Sequence, residues 1–237
     1  YLLGEGLVPS LSNFGRSGQP PSHPELLDYL SHELVKNNWS MKGLIRRIVL
    51  SSTYQQTSTL DVEKDERDQR LRLFGIARRK RLEVESILRT LTWLEYDPQS
   101  ADRRREPSFD MVNEMRLLFD GANRDLIVPR RTSSVSPLQA LFLMNSDHVK
   151  TSTERIAARL HKLPDESQRI GEAFLLLYGR EATAEEVDAG ETFLADWDVG
   201  DIDERNGQIK DIPPEDLARW QAYLQALLLA NEFMYVD

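Results

Sequence analysis

Four histidines, 39 acidic side chains and three runs of arginine are the groups of this 237-residue chain that could do chemistry. The histidines, His23, His32, His148 and His161, include no pair at the i, i+4 spacing that would set two metal ligands on one helix face. His23 stands beside Pro24 in the first turn of an expected helix, where it caps or packs. Glu83, Glu85, Glu185 and Glu186 fall in helix N-terminal turns, where a carboxylate interacts favourably with the helix dipole. Asp28 and Glu33 fall on the expected solvent side of their helix. A glycosidase-like acid pair needs two carboxyls facing each other across a cleft, and no spacing here marks one. Ser51-Ser52-Thr53 lacks the flanking glycines of a nucleophile elbow. Gly15 to Gly18 is followed by prolines rather than by a helix, so it is neither a Walker-type loop nor a dinucleotide loop.

The basic runs Arg78-Arg79-Lys80-Arg81, Arg103-Arg104-Arg105 and Arg130-Arg131 stand out because the chain is acidic, with a net charge of −9. Guanidinium forks pair with carboxylates and backbone carbonyls, so internal pairing is the favoured reading. For Arg130 and Arg131 the expected partners are Asp120 and Asn123 of the preceding loop. The sharper reading makes Arg78, Arg79, Arg130 and Arg131 a site for an anionic polysaccharide, sulfated or uronic. The overall charge opposes general attraction to nucleic acid or to anionic membrane, although a local basic patch could still act, and no nucleic-acid motif accompanies the arginines. The absence of cysteine excludes disulfides, thiolate metal sites, cysteine nucleophiles and covalently attached c-type haem. No haem, flavin, nicotinamide or other cofactor is expected.

The elements that must position these groups read as helices almost throughout. After a loop rich in Gly, Pro, Ser and Asn, Ser22 and Glu25 form a capping box ahead of the stripe Leu26, Leu27, Leu30, Leu34, which Asn37-Asn38 end. Ser40 caps a second helix with Met41, Leu44, Ile45, Ile48 and Val49 at helical spacing. A charged stretch at 62–72 reads as a solvated helix. Val84, Ile87, Leu88, Leu91 and Leu94 form the next stripe, and 96–109 is irregular. Met111 to Phe119 is a short helix ending at Asp120-Gly121. Ser136-Pro137 starts another, and Leu138 to Met144 is apolar nearly all round, which predicts a buried helix.

Three more helices complete the chain. Ile170, Ala173, Phe174, Leu177 and Tyr178 share a face that Gly179 terminates. Thr183 and Glu186 form a second capping box, before a helix with Val187, Leu194 and Trp197 inward. Leu217, Trp220, Leu224, Leu227 and Leu228 make the last stripe. Leu126 to Val128 is the one strand candidate. The fold class is therefore all-α, a multi-helical bundle, with the alternative of two packed halves, 1–95 and 111–237, joined by a loop or hinge at 96–110. No apolar run approaches the roughly 18 residues of a membrane span. The chain opens at Tyr1 without methionine and is read as an excised piece of a longer protein.

Several blocks together are specific: Gly18-Gln-Pro-Pro-Ser-His-Pro-Glu-Leu-Leu-Asp28, Asn38-Trp-Ser40, Ile48-Val-Leu-Ser-Ser-Thr-Tyr-Gln55, Pro129-Arg-Arg-Thr132, Pro137-Leu-Gln-Ala-Leu-Phe-Leu-Met-Asn-Ser146 and Leu177-Tyr-Gly-Arg180. Through them the chain resembles the planctomycete family known as Domain of Unknown Function 1553 along its whole length. The resemblance implies a C-terminal module of a large exported protein, often one with a cytochrome c domain upstream, in the periplasm or at the cell surface. It supplies no catalytic residues. One departure is that 96–110 is short and lacks the glycine- and proline-rich stretch and the alternating apolar run of the family.

The leading expectation is thus a non-catalytic interaction or structural module whose partners are other domains of the same polypeptide. The alternatives are a carbohydrate-active or anionic-glycan-binding domain with a cleft between helical halves, and a docking surface for a cytochrome c domain.

Overall fold

Helical spacing in the sequence becomes helix after helix in the computed structural model, which describes residues 2–58, 73–94, 109–122, 134–197 and 212–236. Among them are ten helices and one pairing of two-residue strands, an all-α fold. In chain order these are α1 (Pro24–Lys36), α2 (Met41–Val49), β1 (Lys80–Arg81), α3 (Val84–Leu94), α4 (Phe109–Leu118), α5 (Pro137–Asn145), α6 (Asp147–Leu160), α7 (Glu166–Tyr178), α8 (Ala184–Asp196), α9 (Pro214–Leu229), α10 (Asn231–Met234) and β2 (Tyr235–Val236). The charged stretch at 62–72, the irregular segment at 96–108 with its arginine run, the strand candidate at 126–128, and Asn123, Arg130 and Arg131 lie outside the described residues.

The chain divides into two compact units, one of residues 1–80, 124–131 and 236–237, the other of 81–123 and 132–235. Helix α3, grouped by the sequence with the N-terminal half, packs on α4 and α6 within the second unit.

The second unit has a continuous apolar core. Helix α3 turns Val84, Ile87, Leu88, Leu91 and Leu94 inward, the set its spacing predicts. Helix α6 lies along α9, where Ile156 and Leu160 meet the layer of Leu217, Trp220 and Leu224; all five side chains are fully buried. Each stabilises by about 1.5–3 kcal/mol relative to exposure. Helix α7 ends at Gly179, whose φ of 72° lies in the left-handed region that a Cβ disfavours, as predicted. The capping box of α8 is present: Thr183 Oγ1 accepts from the Glu186 amide, and Glu186 reaches back to the Thr183 amide. Ser136 caps α5, with Pro137 at its first turn.

Two expectations for this unit are corrected. Helix α5 is not a buried helix: it rests on α6 and α9 by one side, turning in Gln139 and Leu143, and exposes Leu138, Leu141 and Met144. An apolar residue on every side does not bury a nine-residue helix with neighbours on one side. Trp197, expected inward, caps the end of α8 and is 40% exposed, with its indole against the Phe193 ring.

The first unit is built differently. Residues 10–19 close a loop on themselves: Ser10 Oγ donates to the Asn13 carbonyl, and Ser17 Oγ to Asn13 Oδ1. Gly18 approaches so closely that a Cβ would lie 2.0 Å from the Asn13 carbonyl oxygen. The Ser22–Glu25 capping box does not form. Helix α1 begins at Pro24 with His23 as its N-cap and no side-chain cap bond, while Ser22 Oγ donates to the Leu7 carbonyl. A proline at the first helical position removes an amide that needed capping, so the serine is released to pin the loop. Ser40, in contrast, caps α2 by accepting from Gly43. Residues 73–80 rejoin this unit, with the Ala77 amide donating to the Thr57 carbonyl.

A further correction concerns Glu33. It is the only buried residue of α1, not a solvent-side one, because Arg47 of α2 reaches across to it at 2.8 Å. Arg47 also donates to the Tyr29 hydroxyl at 3.0 Å. Arg47→Ala is expected to lower the stability of this helical hairpin by about 1–3 kcal/mol, because a buried carboxylate loses its partner. Hydrogen exchange of the α1 and α2 amides, faster in the variant and unchanged in α6 and α9, is the measurement that checks it.

Candidate functional site

The arginines that the sequence offers as ligand-binding groups are engaged within the protein wherever the structure describes them. In the first unit, Arg78 Nη2 lies 2.8 Å from Glu5 Oε2, and its aliphatic stem packs at Gly4. Arg79 Nε donates to Ser58 Oγ at 3.4 Å. Arg81, in the second unit, is the most deeply built in. Its Nη2 donates to Gln139 Oε1 at 2.7 Å, its Nη1 donates to the Ser134 carbonyl, and its guanidinium sits 5.7 Å from the centre of the Phe119 ring.

Gln139 is 2% exposed and has both ends of its amide in use, since Nε2 donates to the Leu118 carbonyl at 2.7 Å. Asp120, with φ at 54°, accepts at Oδ2 from both the amide and the hydroxyl of Ser134, each at 2.6 Å. The expected pairing of Asp120 with Arg130 and Arg131 lies outside the described residues. Its described partner is Ser134, and at the two ends of that loop Arg116 donates to the Ala122 carbonyl and Arg81 to the Ser134 carbonyl.

A second polar cluster was signalled only in part. Arg180 donates Nη1 and Nη2 to the two oxygens of Glu186 at 2.8 and 2.6 Å, and Nε and Nη2 to Glu232 at 2.6 and 2.8 Å. The guanidinium also covers the Phe174 ring at 5.2 Å. The hydrogen bonds from Arg180, seconded by the Thr183 amide, hold the Glu186 carboxyl down at about 2. The Arg180 guanidinium is correspondingly pushed up by its bonds to Glu186 and Glu232. Thr183 and Glu186, expected as structural residues, are so tied through Arg180 to α10.

A third cluster pairs His161 with Asp216, 55 residues apart, which no spacing rule could have matched. Nε2 of His161 lies 2.7 Å from Asp216 Oδ2, and Nδ1 lies 2.8 Å from the Ala157 carbonyl. Asp216 Oδ1 accepts from Arg219 Nε, and Arg219 Nη2 donates to Glu166 at 2.8 Å. Burial alone would raise the Asp216 carboxyl, but the hydrogen bonds from His161 and Arg219 outweigh it and hold it below the ordinary range. A catalytic histidine of the Asp–His type keeps one nitrogen for its nucleophile. His161 has both nitrogens committed, so this couple is structural. Burial pushes the Tyr178 and Tyr223 hydroxyls up, that of Tyr223 to about 12, so neither is a phenolate at neutral pH. Among the described residues no group of three or more His, Asp or Glu is placed to hold a metal ion.

The first unit leaves an apolar surface open to solvent, as α5 does in the second unit. No residue of α2 is buried. Met41 is 58% exposed and Ile45 stands exposed one turn on, with Leu50 62% exposed just past the helix. Ahead of the helix, Asn38 and Trp39 are both in the left-handed region, at φ 52° and 60°. This conformation is rare for a bulky residue and costs on the order of 1–3 kcal/mol. The Trp39 amide donates to the Leu34 carbonyl at 2.8 Å, and the indole is left 70% exposed. Among the described residues of the first unit, Ile76 is the only buried apolar side chain.

No match to the chain was found among curated proteins or among solved structures. The profile of one family matches it in two segments, residues 1–109 and 96–194, which overlap at 96–109. That family is PSD1, described as "Protein of unknown function (DUF1553)", and the chain belongs to it.

Proposed function

We propose that the chain is a non-catalytic interaction module of an exported multidomain protein, and that it works through the α1–α2 hairpin. The observation that carries the reading is α2 itself: an amphipathic helix with no buried residue, preceded by a strained turn that holds a tryptophan outward. A unit with one buried apolar side chain among its described residues gains little from folding alone, and a partner surface would supply the missing burial. The polar clusters support the same reading from the other side, because their hydrogen-bonding capacity is used internally. An anionic-glycan site at Arg78 and Arg79 would have to displace Glu5 and Ser58. The resemblance to exported, often cytochrome c-containing proteins supports a periplasmic or cell-surface setting.

The lack of cysteine makes a clean test. A thiol introduced by Ile45→Cys should react with a thiol reagent in the purified 237-residue chain and be protected when the intact natural protein carries it in whole cells. Leu175→Cys, half-exposed in the second unit, should react in both, with labelled sites mapped by mass spectrometry. Equal reactivity of the thiol at position 45 in the two settings would sink the proposal.

A further inference from the structure

Resting on that interaction reading, we propose that the exposed strip formed by Trp39, Met41, Ile45 and Leu50 with Lys42 and Arg46 docks on an anionic lipid surface. Helical geometry puts Met41, Ile45, Lys42 and Arg46 together, while Trp39 and Leu50 are exposed at the two ends of the helix. At 100° per residue, Met41 and Ile45 lie one above the other, and Lys42 and Arg46 form the adjoining row. The flank of the apolar row away from Lys42 and Arg46 faces its own hairpin: Leu44 and Ile48 are half-buried, and Arg47 turns back to Glu33 and Tyr29 of α1. The helix therefore presents an apolar row and a basic row side by side, both exposed.

The basic row is available. Lys36, Lys42 and Arg46 have no ion-pair partner among the described residues. No aspartate or glutamate occurs between Glu33 and Asp61. Residues 1–80 carry 12 basic against 9 acidic side chains, whereas residues 81–237 carry 18 against 30, so the cationic strip belongs to the one part of the chain whose charge does not oppose it. A patch of this kind attracts a negative surface over roughly a Debye length, about 8–10 Å at ordinary ionic strength.

The apolar row selects among anionic surfaces. A polysaccharide or nucleic-acid backbone offers nothing to Met41, Ile45 and Leu50. A headgroup layer over acyl chains takes them together with the cations, and it is where an amphipathic tryptophan is most favourably placed. A lipid surface also needs no shape complementarity, only a flat amphipathic strip, and α2 is about 14 Å long. It lies along the surface, since no helix among the described residues is long and apolar enough to cross a membrane.

The test is sedimentation of the 237-residue chain with phosphatidylglycerol-containing vesicles and with vesicles of phosphatidylcholine alone. Binding should occur to the first only and fall as salt is added. Lys42→Glu with Arg46→Glu should weaken it at least about tenfold. Ile45→Asp should weaken it as well, with the helical circular dichroism of both variants unchanged. Lys42→Gln with Arg46→Gln, which keeps every apolar group, should give an intermediate loss. Equal binding to both vesicle types, no binding, or full binding by the charge-reversed variant would overturn the proposal. If vesicles fail to bind while the thiol of the Ile45→Cys variant remains protected in cells, the strip faces an acidic protein partner: the lipid assignment then falls and the interaction module stands.

Discussion

Arg180→Met is expected to destabilise the second unit by roughly 1.5–3 kcal/mol near neutral pH and to flatten its response to acid. The magnitude follows from the bonds lost. Arg180 makes four short contacts to Glu186 and Glu232, but the three side chains are between 32% and 44% exposed. Water screens such pairs, and each alone would contribute about 1 kcal/mol or less. Bidentate geometry on two carboxylates and the ring of Phe174 beneath raise the sum into the stated range.

The acid response follows from Glu186. Its carboxyl ionises at about 2 in the folded chain against an ordinary 4.5, so folding favours the carboxylate. A depressed carboxyl stabilises fully above its unfolded value, and that stabilisation is lost as the pH falls towards the folded value. The wild-type urea midpoint should therefore drop between about pH 5 and pH 2. In the variant the drop should be smaller, because only the Thr183 amide still favours the carboxylate. A difference between the two proteins that is the same at pH 7 and pH 3 would show that Arg180 acts by packing and not through Glu186.

That cluster also shows what a sequence can and cannot disclose. Thr183 and Glu186 form the capping box that their spacing predicts, but nothing local says that Arg180 clasps the same carboxylate or that Glu232, 52 residues on, completes the clasp. Ser22 and Glu25 have the same spacing and form no box, because Pro24 moves the helix start and Leu7 offers the serine a better acceptor. Local patterns decide only where no tertiary partner competes.

The core stripes of α3, α7 and α9 are legible because each has one apolar face and buried neighbours. Helix α5 is apolar all round, so its pattern holds no direction, and its buried residues turn out to include Gln139. For α2 the apolar face is legible and its exposure is not. That depends on which side Arg47 draws towards α1, and the pairing of Arg47 with Glu33 is a tertiary fact.

The second large effect is expected at Arg81, which the sequence shows only as the last residue of a basic run. Arg81→Ala should cost about 2–4 kcal/mol. Gln139 Oε1, inside a side chain that is 2% exposed, would lose its donor, and the Ser134 carbonyl would lose one as well. A buried acceptor left unpaired costs about 1–3 kcal/mol, and the cation above Phe119 adds about 0.5–1 kcal/mol. Gln139→Leu should cost a similar amount for the converse reason. Leucine fits the space, but it leaves the Leu118 carbonyl and the Arg81 guanidinium without their partner.

The double variant, Arg81→Met with Gln139→Leu, distinguishes a coupled network from two separate defects. Replacing both partners by apolar groups removes the unpaired oxygen and the unpaired cation together, while the Leu118 and Ser134 carbonyls stay orphaned. Its loss should therefore fall short of the summed single losses of Arg81→Met and Gln139→Leu by at least about 1 kcal/mol in urea denaturation, the coupling expected of side chains in direct contact. Additive losses would mean that Arg81 is held by the Ser134 carbonyl and the Phe119 ring alone. In that case Arg81 would anchor the chain at Ser134, next to Asp120, without help from the buried amide.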